Sequence, residues 1–336
     1  MASCAYTKPV RAVAIINDHA RRAQGRAARK LEAALPGGVR RTGSLAEARA
    51  TLRTEIARGV DLVVFGGGDG TVVMGLALIA EACRGARKPP PAIGVLRLGS
   101  GNAIADAAGA SDDAAADLAR LVRGDCVWRS QPLLDVLGVR APFVGAGVDA
   151  QLLEDQEVVG RVVDRLPGGR RLVGAGARYA LSVALRSLPR FAIGERALAT
   201  VTNLGAPAIE LARGGPTGRE IARGERLWAG ACTLVAGATI PFFGFGLRMF
   251  PFAGVRADRF QLRCGDAGLL EIARNTPAAF RGDYFSDRVC DFLCDRVEIA
   301  FDRETAIEAG GELLGRERRV ELALGAPMTL ATLGIS

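Results

Sequence analysis

Histidine is nearly absent from this sequence, and its scarcity excludes several kinds of active site. His19 is the single histidine among 336 residues. A Ser-His-Asp hydrolase needs a histidine to carry the proton, and zinc sites commonly draw on histidine as well as cysteine. The seven cysteines are odd in number and mostly isolated in apolar surroundings. We therefore expect free thiols in a reducing compartment, and neither a disulfide framework nor a zinc site.

Targeting and membrane-spanning segments are also missing. The apolar run 10–16 is short, contains Arg11, and lacks a small-residue cleavage site behind it, so it does not resemble a secretion signal. The longest uncharged stretch, 229–247, is interrupted by four glycines and a proline, which favours strands and turns over a membrane helix. A cytoplasmic location is expected.

Lysine is scarce too, because only three of the 44 basic side chains are lysines. The 36 acidic side chains leave a net charge of +8. This charge permits phosphate ligands or an anionic membrane surface without choosing between them. The basic residues are scattered along the chain, and we predict no nucleic-acid partner.

The length and composition predict a soluble chain of two domains. Hydrophobic residues make up 49% of the sequence and charged residues 24%, which is typical of a globular protein. At roughly 150 residues per domain, a chain of this length corresponds to about two domains.

The first part of the sequence has the alternation of a wound parallel sheet. Apolar strand-like runs at 10–16 and 61–65 are separated by helical periodicity, and Ser44 with Glu47 forms a capping-box pattern for a helix running to about residue 58. A third strand-like run, 93–96, follows. This pattern predicts an α/β domain.

Two glycine-rich loops follow the second and third of these strands. The first reads GGGDGT over 66–71, and the second reads LGSGN over 98–102. Glycines let backbone amides approach a phosphate closely, and the start of the next helix adds unpaired N–H donors. A carboxylate between the glycines, Asp69, repels phosphate unless it holds Mg²⁺ or accepts a proton. The alternative is a tight turn in which Asp69 caps the next helix.

The familiar phosphoryl-transfer motifs are absent, since the chain has neither GxxxxGK[ST] nor an HRD loop with DFG. GGDGT at 67–71 followed by LGSGN at 98–102 instead resembles the diacylglycerol kinase catalytic-domain family, which includes sphingosine and ceramide kinases. Arg97 stands where that family usually has proline. Asn17 alone matches the family's NPxSG loop, and Arg21 and Arg22 follow it with positive charge.

The second half, from about residue 128, has short strand-like runs with frequent glycine and proline, and it predicts an antiparallel sandwich. The family resemblance extends here on four acidic residues. Asp149 ends a glycine-rich segment, Asp135 lies in an earlier strand, Asp258 matches a structural metal site without its usual following glycine, and Glu312 matches the last residue of a DGE motif.

Five phenylalanines lie close together between residues 242 and 252. Two interpretations stay open. The cluster belongs to the core of a hairpin, or it forms an acyl-chain pocket or membrane-facing lip.

The resemblance implies an α/β nucleotide-binding domain like those of NAD kinases and diacylglycerol kinases, joined to a β-sandwich domain. The expected domains are 1–128 for the nucleotide, 129–308 for the lipid acceptor, and 309–336 returning toward the N-terminal domain.

The implied reaction transfers the γ-phosphate of ATP to a lipid hydroxyl. The expected ligands are ATP and Mg²⁺, and the expected catalytic residues are Asp69, Glu312 and Asp149. Metal ligands are expected at Asp69, Asp135, Asp258 and Glu312. The residues expected to hold the nucleotide are Asn17, Gly67, Gly68, Gly70, Thr71, Gly99, Ser100, Gly101 and Asn102.

The expected partners are a lipid substrate and a transient membrane surface, at the inner face of the membrane, and a homodimer stays open. Two alternatives also remain: a kinase of a soluble substrate, such as a NAD kinase, and a nucleotide-binding regulatory protein without activity.

Overall fold

The computed structural model describes residues 10–165 and 196–334, and these form two compact units. The first unit comprises Met1–Leu133, Ile240–Met249 and Gly325–Ser336, and the second comprises Leu134–Thr239 and Phe250–Leu324. The expected combination of an α/β part with a large β-rich C-terminal part is confirmed. The phenylalanine-rich segment is divided, because residues 240–249 group with the N-terminal residues.

The first unit consists of parallel strands that alternate with helices. Its elements are β1 (Ala12–Asn17), α1 (Arg26–Ala34), β2 (Val39–Thr42), α2 (Leu45–Ala57), β3 (Leu62–Gly67), α3 (Asp69–Ala86), β4 (Ala92–Arg97), α4 (Ala103–Ala107) and α5 (Ala114–Arg123).

The strands of this sheet lie in the order β4, β3, β1, β2, and all of these neighbours are parallel. Every residue of β3 is buried, as expected for a strand covered on both faces. Helices α1 and α5 pack together, as do α2 and α3. The chain also returns to this unit near its end, where Leu330 pairs in parallel with Ile93 of β4.

The predicted capping box starts α2. The Ser44 hydroxyl accepts a hydrogen bond from the Glu47 amide at 3.2 Å, and the Glu47 carboxylate accepts one from the Gly43 amide at 2.8 Å. The first contact pairs a backbone N–H of the first turn that the helix cannot satisfy itself, and the second holds the residue before the N-cap. The sequence prediction of a helix from Ser44 to about residue 58 is confirmed to within one residue.

The second unit is mostly antiparallel sheet. Its elements include β5 (Val127–Val136), which begins in the first unit, β6 (Val139–Ala141), β7 (Phe143–Gly147), α6 (Val148–Arg165), β8 (Leu198–Asn203), β9 (Ala208–Ala212), β10 (Gly215–Ile221), β11 (Arg226–Ala231), β12 (Leu234–Ala238), β13 (Phe260–Gly265), α7 (Leu269–Arg281), β14 (Val289–Cys294), β15 (Arg296–Ala309) and β16 (Glu312–Thr332), whose last residues belong to the first unit.

Within the second unit, β15 is the strand at which the sheet divides. Residues 297–301 of β15 pair with β8, and residues 307–309 pair with β7. From β7 the ladder continues through β12, β13, β14, β9 and β10.

A buried ion pair joins β13 to β14. Arg263 donates to both carboxylate oxygens of Asp291 at 2.8 and 2.9 Å, and the two side chains are 1% and 2% exposed. Gln261 donates to the same carboxylate at 2.7 Å, and the Arg263 guanidinium lies 5.6 Å from the centre of the Phe285 ring. The two opposite charges are therefore buried as a pair, and within the described residues the remaining guanidinium nitrogen, Nη1 of Arg263, is buried without a hydrogen-bond partner.

In the part of the chain that the structure describes, no helix is both long and apolar enough to cross a bilayer. The six cysteines among these residues are free thiols, as the sequence predicts.

We expect Asp291→Ala to lower the free energy of unfolding by about 3–5 kcal/mol, because it leaves the Arg263 guanidinium buried without its counter-ion. Asp258→Ala is the matched control. Asp258 also accepts two hydrogen bonds from one arginine, Arg256, but it is 56% exposed. Denaturant unfolding of both variants should show a large loss for Asp291→Ala and little change for Asp258→Ala. Equal losses would contradict this account.

Candidate active site

The first unit has a crevice where the chain order of its strands reverses. The chain passes from β1 to β2 on one side and then crosses to β3 on the other side of β1. The loops after β1 and β3 therefore run in opposite directions, and ligands of open α/β sheets bind at this position. Asn17 ends β1, and its Nδ2 donates to the Thr71 hydroxyl, just after β3, at 3.2 Å. Two residues expected to hold the nucleotide thus meet at the crevice.

The first glycine loop connects β3 directly to α3. Gly68 is the N-cap of this 18-residue helix, and as a glycine it has no side chain that could cap the helix start. The first N–H groups of α3 have no partner within the helix, which makes the helix start a candidate anion site. A Cβ at Gly67 would lie 2.4 Å from the Thr71 hydroxyl oxygen, so the folded-back threonine requires glycine there.

The second glycine loop is closed by its own asparagine. Asn102 has φ of +57°, and its side chain both accepts from the Gly99 amide and donates to the Gly99 carbonyl, each at 2.9 Å. Asparagine tolerates this left-handed conformation better than most residues. The amide of Asn102 therefore shapes the loop, and its side chain is buried.

The backbones of the two loops are in contact. A Cβ at Gly99 would lie 2.2 Å from the Cα of Gly68 and 2.9 Å from the carbonyl oxygen of Gly67. No side chain fits at that separation. The glycine at position 99 is required by this approach of main chain to main chain.

Asp69 joins the loops through its carboxylate. Oδ1 accepts from the Ile104 amide at 2.9 Å, and Oδ2 accepts from the Ala103 amide at 3.0 Å. Asp69 is the first residue of α3, yet its side chain caps α4. The alternative interpretation of the sequence, in which Asp69 caps the helix that follows the first loop, is wrong, because the side chain caps α4 and not α3.

Burial raises the pKa of Asp69 above its ordinary value. The two amide hydrogen bonds from Ile104 and Ala103 oppose this rise, and the nearby charge of Asp106 adds to it. Desolvation is the largest cause. The geometry thus supplies a buried carboxylate whose proton affinity is increased, beside two backbone loops.

Asp106 is a site residue that the sequence analysis did not identify. It lies in α4, its side chain is 6% exposed, and Arg97 donates to its Oδ1 through Nη1. Within the described residues, Oδ2 has no hydrogen-bond partner. Burial is the main cause of a raised pKa for Asp106, and Arg97 opposes it. The sequence contained one signal that could have identified it, because Asp106 is the single charged residue between residues 98 and 111.

The pairing with Asp106 also accounts for Arg97, the residue standing where the family usually has proline. Arg97 Nε lies 3.5 Å from Asp112, which in turn lies 3.7 Å from Arg22. Arg22, Lys30 and Arg97 line a cavity of about 740 Å³ together with Leu98. The side chain of Arg21 lies outside the described residues.

The C-terminal candidates lie in the second unit. Asp135 pairs with Arg140 at 3.0 Å, and Asp258 accepts from Arg256 and from Arg259 at 3.2 Å. The hydrogen bond from Arg256 is the largest cause of a lowered pKa for Asp258.

Glu312 begins β16 and is exposed, and Asp149 lies in α6 with its side chain outside the described residues. Among residues 10–165 and 196–334, no three His, Cys, Asp or Glu side chains are grouped as a metal site. The catalytic and metal-binding roles expected for the four C-terminal candidates, Asp135, Asp149, Asp258 and Glu312, stay predictions.

A turn from residues 240–249 touches the second glycine loop. The Phe245 amide donates to the Gly101 carbonyl at 2.7 Å. Phe245 is 55% exposed, whereas Phe250 is fully buried and Phe252 packs edge-on against Phe285 in the second unit, with ring centres 6.0 Å apart. The phenylalanine cluster thus combines core residues with an exposed one.

Comparison with known proteins confirms the family resemblance. Residues 11–127 match the family described as "Diacylglycerol kinase catalytic domain". This range includes both glycine loops, Asn17 and Asp106. No curated protein matches the chain.

Solved structures share the fold. A protein from Bacillus anthracis str. Sterne, named "a putative diacylglycerol kinase", is 15% identical, with a TM-score of 0.63 over 97% of this chain and 98% of that one. A further structure so named has a TM-score of 0.64 at 15% identity, and a third, named a diacylglycerol kinase, has 0.61 at 14%, each with the same coverage. At these identities the likeness establishes the fold alone.

We expect Gly99→Ala to destabilise the first unit by about 1–3 kcal/mol, because the added methyl group would force the two loops apart. Gly85→Ala is the matched control, since nothing lies within 4 Å of a Cβ at Gly85, inside α3. That change should leave stability equal or higher by up to about 1 kcal/mol. Chemical denaturation measures both effects, and a harmless Gly99→Ala would show that the loops do not pack as described.

The raised pKa of Asp69 predicts a pH dependence of stability. A carboxyl group with a raised folded-state pKa stabilises the fold fully below its unfolded pKa, near 4, and loses this contribution as pH rises through the folded value. The difference in melting temperature between the wild type and Asp69→Asn should therefore decrease as the pH is raised from 4 to 7.

Asp258→Asn provides the opposite sign, because its pKa is lowered and its contribution appears as pH rises. Melting curves of the wild type, Asp69→Asn and Asp258→Asn at pH 4 and pH 7 measure how each difference in melting temperature changes with pH. If both differences changed in the same direction, the opposite pKa shifts assigned to Asp69 and Asp258 would be contradicted.

Proposed function

We propose that the chain is an ATP-dependent kinase of the diacylglycerol kinase type, which transfers the γ-phosphate of ATP to a lipid hydroxyl. The observation that carries this proposal is the Asp69 carboxylate, held by α4 between two glycine loops at the sheet crevice. The match of residues 11–127 to the catalytic-domain family supports the same reaction.

The two loops fit the phosphates of a nucleotide. Gly67 and Gly99 leave no room for a Cβ, so both loops expose main chain, and the start of α3 at Gly68 adds a partial positive charge. Asn17 and Thr71 form the side of the crevice next to β1. Gly70, Ser100 and Gly101 complete the two loops that we assign to ATP.

The donor set also fits Mg²⁺, which usually takes one or two carboxylates and completes its shell with phosphate oxygens and water. Each Asp69 oxygen accepts one amide hydrogen bond and retains lone pairs for a further contact. When bound, Mg²⁺ would neutralise charge on the phosphates.

Asp69 is suited to act as the general base. Its raised pKa gives the carboxylate a greater affinity for the proton of an acceptor hydroxyl than an exposed aspartate has. In the proposed step, that proton passes to Asp69, the hydroxyl oxygen bonds to the γ-phosphorus, and the bond from phosphorus to the ADP oxygen breaks.

The remaining assignments rest on the family resemblance. Asp149 would address the acceptor hydroxyl, Glu312 would assist the metal, and Asp135 with Asp258 would belong to a further metal network. We also propose that the protein works in the cytoplasm at the inner membrane face, where a lipid acceptor would be met, as a monomer or a homodimer.

One observation favours a second function, nucleotide binding without catalysis. Both oxygens of Asp69 are engaged by backbone amides, so the side chain serves the fold of the second loop as well. A kinase of a soluble substrate such as NAD remains the third candidate, and the LGSGN loop argues against it.

Incubation with ATP, Mg²⁺ and a total lipid extract tests the proposal, with the phosphorylated product identified by its mass and NAD offered in parallel. We expect lipid phosphorylation, and a loss of at least about 100-fold in Asp69→Asn, the usual scale for a general base. Asn is preferred to Ala because it retains an oxygen that can accept one amide hydrogen bond.

The control variant is Asp302→Asn, an exposed carboxylate of the second unit, which should keep full turnover. ATP binding without transfer to any lipid would instead support the regulatory protein, and phosphorylation of NAD would support the soluble-substrate kinase.

A further inference from the structure

Three arginines meet at the edge of the first unit's sheet that lies opposite the crevice. Arg11 precedes β1, Arg40 lies in β2, and Arg58 is the C-cap of α2. They line a cavity of about 230 Å³ together with Glu55. Asn17 ends the strand that Arg11 precedes, and six residues of strand span about 20 Å. The cavity is therefore separate from the loops assigned to ATP.

Main-chain carbonyls hold two of these guanidinium groups in place. Arg11 Nη1 donates to the Arg58 carbonyl at 2.8 Å, and Arg40 Nη1 donates to the Gly37 carbonyl at 2.8 Å. A carbonyl carries no net charge, so these contacts position the two groups without neutralising them. A guanidinium has five N–H donors, and each of these groups therefore keeps donors for a further contact.

A single carboxylate is shared between two arginines in the cavity. Glu55 Oε1 accepts from Arg58 Nη1 at 3.3 Å and from Arg40 Nη2 at 3.5 Å. Charge-assisted hydrogen bonds of this kind are normally about 2.7–2.9 Å long, so both contacts are weak. One negative charge thus faces three positive charges across the cavity.

Charged groups around the cavity leave an excess of positive charge. Asp61 accepts from the Arg11 amide at 3.0 Å, and Glu32 accepts from the Gly37 amide at 2.8 Å, so both carboxylates are engaged by main chain. Lys88 adds a positive charge at the end of α2. Counted with the four groups of the cavity, four positive and three negative side chains leave a net charge of +1.

A phosphate group matches this arrangement. Its oxygens accept pairs of N–H donors in the fork geometry that guanidinium groups present. Its charge of about −1.5 to −2 at neutral pH would also relieve the repulsion among the arginines.

We propose that Arg11, Arg40 and Arg58 form a second phosphate-binding site, at the end of β1 opposite the crevice. A phosphate bound there takes over the guanidinium groups that Glu55 shares. The shared chemistry is the phosphate group, which belongs either to a free anion or to a lipid headgroup. The site is independent of the proposed reaction, because it uses none of the residues assigned to it.

Calorimetric titration with inorganic phosphate at constant ionic strength tests the site. Arg58→Gln should lower the phosphate affinity about 5-fold, because it removes one of the three cations. Glu55→Gln should raise the affinity about 3-fold, because the resident carboxylate no longer competes for the arginines. A loss of structure would not produce these opposite changes, and circular dichroism checks that both variants fold.

Arg53→Gln is the matched control. The side chains of Arg53 and Arg58 are both 60% exposed, and each pairs with a glutamate. Arg53 lies in α2 but does not line the cavity, so its variant should bind phosphate like the wild type. Equal losses in the two arginine variants would overturn the site, as would an unchanged affinity in Arg58→Gln, which would place the phosphate elsewhere.

Vesicle sedimentation distinguishes the two sources of the phosphate. Vesicles of phosphatidylcholine are compared with vesicles that also contain phosphatidate, whose headgroup is a phosphate monoester. Binding that requires phosphatidate and is weakened by Arg58→Gln, but not by Arg53→Gln, would identify a lipid headgroup. The expected changes in the phosphate titration without vesicle binding would identify a free anion.

If neither inorganic phosphate nor phosphatidate depends on Arg58, the second site is refuted. Absence of lipid phosphorylation by the wild type would refute only the proposed function, so the two failures are distinguishable.

Discussion

The carboxylate of Asp69 is the contact on which the candidate site depends. It belongs to the first residue of α3 but bonds to the first two amides of α4, so a single side chain fixes the second glycine loop against the first. Helix α4 has only five residues and is too short to be stable through its own hydrogen bonds. The same carboxylate is the group best placed for proton transfer. Structure and proposed chemistry therefore share one residue.

Close contact between main chains explains Gly99, the first glycine of the second loop. Gly99 packs on Gly68 at a distance that no Cβ permits, and Asn102 closes its loop with both polar atoms of its amide. A surface made of backbone N–H groups can follow a phosphate without side chains in the way. Main-chain groups of the two loops therefore make up most of the site. The carboxylates of Asp69 and Asp106 supply its negative charge.

Unusual residues are accommodated differently in different parts of the fold. Arg97 in place of proline brings its own partner, because Asp106 accepts its hydrogen bond nine residues later. Phe245 has a φ of +52°, a left-handed conformation that is uncommon for a bulky side chain. In the second unit, Arg263 and Asp291 form a buried ion pair through two hydrogen bonds, which joins β13 to β14.

Local signals in the sequence determined the alternation of strands and helices, the start of α2 at Ser44, and the position of both glycine loops, since periodicity, caps and glycine act over a few residues. Sequence could also place Asp69 between the loops. It could not show that Asp69 caps α4, that Asp106 lies beside it, or that residues 240–249 reach Gly101, because these contacts join residues 34 to 144 positions apart. Only the folded chain decides which distant groups meet, because the packing of whole elements determines those distances.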